Sequence, residues 1–171
     1  MRGISGPYSA WVNWLTAFGR GEDPPVEHLP VIDERYGPAM LERLMRHVAA
    51  AFDARQKRWQ EALRRDQDLL SAEPGNAVTA MAVVLVDARA RLAPLVALTR
   101  VAALPEPMRE ALRDALEKTV RSSQQTLDDS SRDGPAELRN TIRANTLLAG
   151  LRHRPVSSQD TPTTTRRVIL G

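Results

Sequence analysis

The chain has 171 residues, with 24 basic and 21 acidic side chains, seven aromatic residues and no cysteine. The lack of cysteine excludes disulfides and thiolate metal sites, and the three histidines match none of the common zinc or di-iron spacings. No segment has the roughly 18 apolar residues that a membrane span needs, and the first residues lack the apolar core of a secretory signal. We therefore expect a cytoplasmic protein.

The formal net charge of +3 comes almost wholly from arginine, because only Lys57 and Lys118 among the 24 basic residues are lysines. Such a bias is typical of a GC-rich genome as well as of a phosphate-binding surface. The composition alone therefore does not predict a nucleic-acid partner.

An amphipathic helix is predicted near the N-terminus, over residues 9–18. Four of the seven aromatic residues share one face of it at 100° per residue; they are Tyr8, Trp11, Trp14 and Phe18. This face either packs on the rest of the chain or binds a partner protein, since Trp and Tyr anchor many interfaces. Binding to a membrane surface is a third alternative, but the opposite face offers Asn13 and Thr16 rather than basic residues.

Residues 19–35 follow as an irregular tether rich in Gly and Pro, with two basic and five acidic side chains. Its glycines are not followed by Lys-Ser or Lys-Thr, so the tether is not a phosphate-binding loop. Together with the aromatic helix it makes an N-terminal region, residues 1–35. A tether of this length allows the helix to reach its own chain or a neighbour.

Helical periodicity with Pro and Gly at the breaks predicts an all-α fold in residues 36–154. Short connections favour antiparallel neighbours, hence an up-down bundle of about four long helices. We predict these helices over residues 38–72, 77–103, 107–130 and 135–153. Pro94 is expected to kink or break the second helix near residues 91–93.

The first of these helices is about 50 Å long at 1.5 Å per residue. Its apolar stripe, which includes Met45, weakens in the second half, where Arg55 and Gln56 lie on or near it. We expect the N-terminal region or a second copy of the chain to cover what the bundle leaves exposed. The second helix is apolar nearly all round at its start, which predicts the centre of the bundle.

The fourth helix carries Arg139 and Arg143 one turn apart, and Arg154 falls near them if the helix reaches that far. Such a stripe could bind phosphate groups, although a solvated helix face is the commoner explanation. Asn145 lies in the apolar stripe of the same helix, where it is either hydrogen-bonded in the core or fixes the register of a helix pair.

The extended tail, residues 155–171, begins as a polar linker and ends in two arginines and an apolar trio: Arg166, Arg167, Val168, Ile169 and Leu170. Val-Ile-Leu is suited to adding a strand to a sheet edge or to filling a groove on another subunit. A frayed tail is the alternative.

These patterns predict a non-enzymatic helical interaction protein: an adaptor, a scaffold or a subunit of a larger complex, able to self-associate. The contact elements are the four aromatic residues of the N-terminal helix and residues 166–170. We predict no catalytic residues, no cofactor and no metal, because no nucleophile with its base or facing carboxylate pair can be assembled. The alternative is a nucleic-acid-associated regulatory protein that acts through Arg139, Arg143 and Arg154.

Overall fold

The computed structural model describes residues 6–72 and 74–152, and the regular structure in this part of the chain is helical, without strands. The all-α prediction is confirmed. The α-helices are α1 (Pro7–Gly19), α2 (Pro38–Ala72), α3 (Ala77–Ala90), α4 (Ala93–Leu98), α5 (Glu106–Ser130) and α6 (Ala136–Ala144). Short 3₁₀ helices lie at Glu34–Tyr36, Pro74–Asn76 and Leu147–Arg152.

The predicted set of four long helices is not confirmed, because among the helices that the structure describes only α2 and α5 are long. The second predicted helix is divided into α3 and α4, with the break at the predicted place. Pro94 has no N–H to give to the carbonyl of Ala90, and at the break the Leu92 N–H donates to the Arg89 carbonyl at 3.1 Å. The chain therefore turns tightly and restarts as α4.

The fourth predicted helix was expected to reach residue 153, and this was wrong, because α6 ends at Ala144. Asn145 leaves the helical region, with φ −114° and ψ 43°, and its side-chain amide donates to the Thr141 carbonyl at 3.0 Å. Two residues later, the Leu147 N–H donates to the side-chain oxygen of Gln124 on α5, at 2.8 Å. This hydrogen bond to α5 thus replaces the i→i−4 hydrogen bond that the Leu147 N–H would make in a continued α-helix.

The final 3₁₀ helix, Leu147–Arg152, packs closely on α3 at Gly150. A Cβ atom there would lie 2.7 Å from Leu92 Cδ1 and 3.2 Å from the Arg89 carbonyl oxygen. We expect Gly150→Ala to lower the free energy of unfolding by about 1–3 kcal/mol through overpacking, as measured by urea denaturation. Gly75→Ala is the control, since a Cβ there meets nothing within 4 Å. Equal losses in both variants would contradict the close approach.

The core runs through the described helices as one cluster of buried side chains. The short connection that includes the 3₁₀ helix Pro74–Asn76 makes α2 and α3 an antiparallel hairpin. In this hairpin the indole N–H of Trp59 donates to the Ala88 carbonyl at 2.8 Å. The apolar stripe of α2 is buried largely as predicted, but Met45 is 47 % exposed. The division of the chain into residues 1–35, 36–154 and 155–171 stays a prediction.

The N-terminal helix α1 packs against the middle of α2 and runs in the same direction. Near its start, the Tyr8 ring contacts the His47 ring, with centroids 6.2 Å apart. At its end, the Gly19 carbonyl accepts a hydrogen bond from Arg58 Nε at 3.0 Å. The N-terminal region of the same chain therefore covers part of α2, and cover by a second copy stays a prediction.

Candidate protein-binding surfaces

The aromatic face of α1 points into the chain's own core. Trp11, Trp14 and Phe18 are buried, and Tyr8 is partly buried. The Trp11 indole N–H donates to the Pro30 carbonyl at 2.7 Å, and the Trp14 indole N–H donates to the Pro25 carbonyl at 3.0 Å. The packing alternative is therefore the one seen. Partner binding by these four residues stays a prediction that their burial does not support.

We call residues 20–33, which follow α1, the strap. Arg55 of α2 binds both α1 and the strap. Its guanidinium donates to the carbonyls of Phe18 (3.1 Å) and Glu22 (2.7 Å) and to the Asp23 carboxylate (2.7 Å). It also lies over the Phe18 ring, 5.1 Å from the centroid. The side chain is only 12 % exposed. Arg55 interrupts the apolar stripe of α2, and its hydrogen bonds hold the N-terminal region in place.

An uncharged stripe on α3 faces solvent. We call it the α3 seam, and its members are Thr79, Val83, Val86 and Ala90. All four are exposed, Val83 by 64 % and Val86 by 51 %. The expectation that this helix forms the centre of a bundle was therefore wrong for this face, although α2, α6 and the final 3₁₀ helix do pack on the others. The sequence shows that α3 is apolar, but not which face is left uncovered.

A second apolar surface, the strap groove, lies between the end of α1, the strap and α4. It encloses about 640 Å³. Its lining is mostly apolar, and its charged members are Asp23, Glu27 and Arg100. Trp14 and Phe18, whose rings stack with centroids 5.1 Å apart, contribute to one wall, and Ala93 to Val101 contribute to the other. No feature of the sequence predicts this groove, because its walls come from segments about 80 residues apart.

A smaller groove of about 410 Å³ lies near the start of α1 and is lined by Tyr8, Val31, Tyr36 and Met40, among others. The Tyr36 hydroxyl is buried and has no hydrogen-bond partner among the described residues. Burial raises the pKa of Tyr36 above its ordinary value. Gly6 and Pro7, the first residues that the structure describes, also line this groove.

The predicted arginine stripe is only partly available to phosphate. Arg139 donates to the carbonyls of Arg132 (3.3 Å) and Gly134, so its charge lies at the C-terminal end of α5, where a helix dipole favours a cation. Arg139 and Arg143 line a cavity of about 460 Å³ together with Arg132, but Asp128 lines it too. Arg154 lies outside the described residues. Nucleic-acid binding stays a prediction.

Residues 166–170 also lie outside the described residues, so their predicted contacts are untested. Within residues 6–72 and 74–152, no helix has the length and apolar character to cross a membrane, and no three potential metal-ligating side chains come together. Comparison of the chain with protein-family models, with curated proteins and with solved structures gives no match.

Proposed function

We propose that this chain is a non-enzymatic helical protein that acts through protein–protein contact, and that it assembles with a second copy of itself through the α3 seam. The observation that carries the proposal is the exposure of Val83 and Val86 within an uncharged stripe. Burial of these side chains between two subunits would remove apolar surface from water, which is the main driving force for association.

The spacing of the seam supports pairing with another helix. Its members, residues 79, 83, 86 and 90, follow one another at intervals of four, three and four, which is the spacing of the a and d positions of a heptad. Valine at such positions is well suited to a helix–helix seam. The stripe is narrow and short, so it favours a small interface between α3 helices over insertion into a wide groove.

The charges beside the seam are compatible with two copies of the same helix. In an antiparallel pair with its two-fold axis between Val83 and Val86, Asp87 of one copy faces Ala80 and Ala82 of the other rather than a second Asp87. Asp87 is already paired with Arg91 in its own chain at 2.6 Å. The isologous contact therefore brings no like charges together.

The tail and the aromatic helix are not needed for this proposal. That the tail and the aromatic helix contact a partner stays a prediction from the sequence. The same is true of an adaptor or scaffold role with a different partner and of the cytoplasmic location. The seam could instead bind a helix of a different protein, and the light-scattering experiment below distinguishes this from self-association.

Light scattering coupled to size exclusion tests the proposal. At tens of micromolar we expect the wild-type chain to show the mass of a dimer, and Val83→Glu/Val86→Glu to show that of a monomer, because two buried glutamates per subunit cost several kcal/mol. Circular dichroism should be unchanged, since both positions are exposed on a helix.

The matched control is Met40→Glu/Met45→Glu, which makes the same change in charge at two exposed apolar positions of α2. We expect it to remain dimeric. A wild-type chain that is monomeric at every concentration would overturn self-association and leave a different partner as the alternative. A dimer that survives the seam substitutions would place the interface elsewhere.

A further inference from the structure

We propose that residues 166–170 dock into the strap groove of their own chain. The groove is a mostly apolar depression of about 640 Å³, with Trp14 and Phe18 on one side and Val96 and Ala97 on the other. The apolar trio Val168-Ile169-Leu170 is suited in size and polarity to fill such a depression. Two arginines precede the trio.

The described chain ends near the break between α3 and α4, after which one wall of the groove begins. Gly150, two residues before the end of the final 3₁₀ helix, lies against Leu92 at the break between α3 and α4. The next residues, Ala93 and Pro94, line the groove. From Arg152 to Val168 an extended chain reaches about 50 Å, so the trio can enter the groove with slack to spare.

The charges at the groove favour the same occupant. The strap supplies Asp23 and Glu27 to the lining, while Arg100 stands on the α4 side. Asp23 is paired with Arg55, whereas Glu27 is exposed. A segment that places Arg166 and Arg167 beside the acidic strap, and its apolar trio against the apolar walls, matches the groove in charge as well as in polarity.

Attachment to the same chain favours the chain's own tail over that of a second copy. A linker of this length holds its end at an effective concentration of about millimolar, well above a micromolar protein concentration. Even a weak apolar contact is then mostly formed within one chain. The proposal does not rest on the α3 seam, so docking of the tail and self-association succeed or fail separately.

Disulfide trapping tests the proposal cleanly, because the chain has no native cysteine. Ala97 is exposed on the groove wall, and Ile169 is the middle residue of the trio. In the full-length Ala97→Cys/Ile169→Cys chain we expect an intrachain disulfide to form about tenfold faster than in Ser122→Cys/Ile169→Cys, whose first cysteine lies on exposed α5 away from the groove. Non-reducing electrophoresis and intact mass measure both rates.

The charge contribution is tested in the same assay. Adding Glu27→Lys to the trapping pair should slow the disulfide severalfold, and high salt should slow the unmodified pair in the same direction. The matched control is Glu61→Lys, an equal charge change at an exposed position of α2. Equal trapping rates at Ala97 and Ser122 would overturn docking in the groove. A disulfide-linked dimer in place of the intrachain product would show that the tail of a second copy is the occupant.

Discussion

Replacing Trp11 by alanine is expected to lower the free energy of unfolding by about 3–5 kcal/mol, the usual cost of deleting a fully buried tryptophan. The Trp11 side chain is completely buried in the core, and its indole N–H donates to the Pro30 carbonyl of the strap at 2.7 Å. The variant loses both the ring volume and that hydrogen bond. Urea denaturation followed by circular dichroism gives the difference.

Two further variants separate the contributions. Trp11→Phe keeps most of the ring but leaves the Pro30 carbonyl without its donor, for an expected loss of about 1–3 kcal/mol. Asn13→Ala, exposed on the opposite face of α1, should change the stability by less than about 0.5 kcal/mol. If Trp11→Ala behaved like Asn13→Ala, the N-terminal helix would not be a fixed part of the fold, and its aromatic residues would again be available to a partner.

Local signals in the sequence were enough to place several helix ends. The predicted bounds of the longest helix, residues 38–72, agree with those of α2, because Gly37-Pro38 and Pro74-Gly75 determine where a helix can begin and end. The break between α3 and α4 was predictable for the same reason, since proline removes a backbone donor wherever it occurs. These features depend only on residues close in sequence.

The features that sequence reasoning missed depend on residues far apart in the chain. Arg55 contacts residues more than 30 positions away, and Gln124 ends the last helix by accepting a hydrogen bond from the Leu147 N–H, 23 positions on. Periodicity reports which side of a helix is apolar, but not which neighbour will cover it. This is why the sequence left the aromatic face of α1 open between packing and a partner, and why the exposed face of α3 was assigned to a bundle core.

The second large effect is expected at Trp59, whose indole N–H donates to the Ala88 carbonyl at 2.8 Å in the buried contact between α2 and α3. At the break after α3, the Leu92 N–H donates to Arg89, so Ala88 lacks its usual helical donor and depends on Trp59. We expect Trp59→Ala to lower the free energy of unfolding by about 3–5 kcal/mol. Trp59→Phe should cost about 1–3 kcal/mol, mostly for the unpaired carbonyl.

A double-mutant cycle with Pro94 tests this account. Pro94→Ala restores an N–H and allows α3 to continue into α4, so that the Leu92 N–H can reach Ala88. The cost of Trp59→Phe should then be smaller in the Pro94→Ala background than in the wild type, and the urea midpoints of the four proteins give the coupling. Equal costs in both backgrounds would mean that Trp59 stabilises the hairpin by its volume alone. A smaller cost would mean that a side chain of α2 compensates for the break that proline makes in α3.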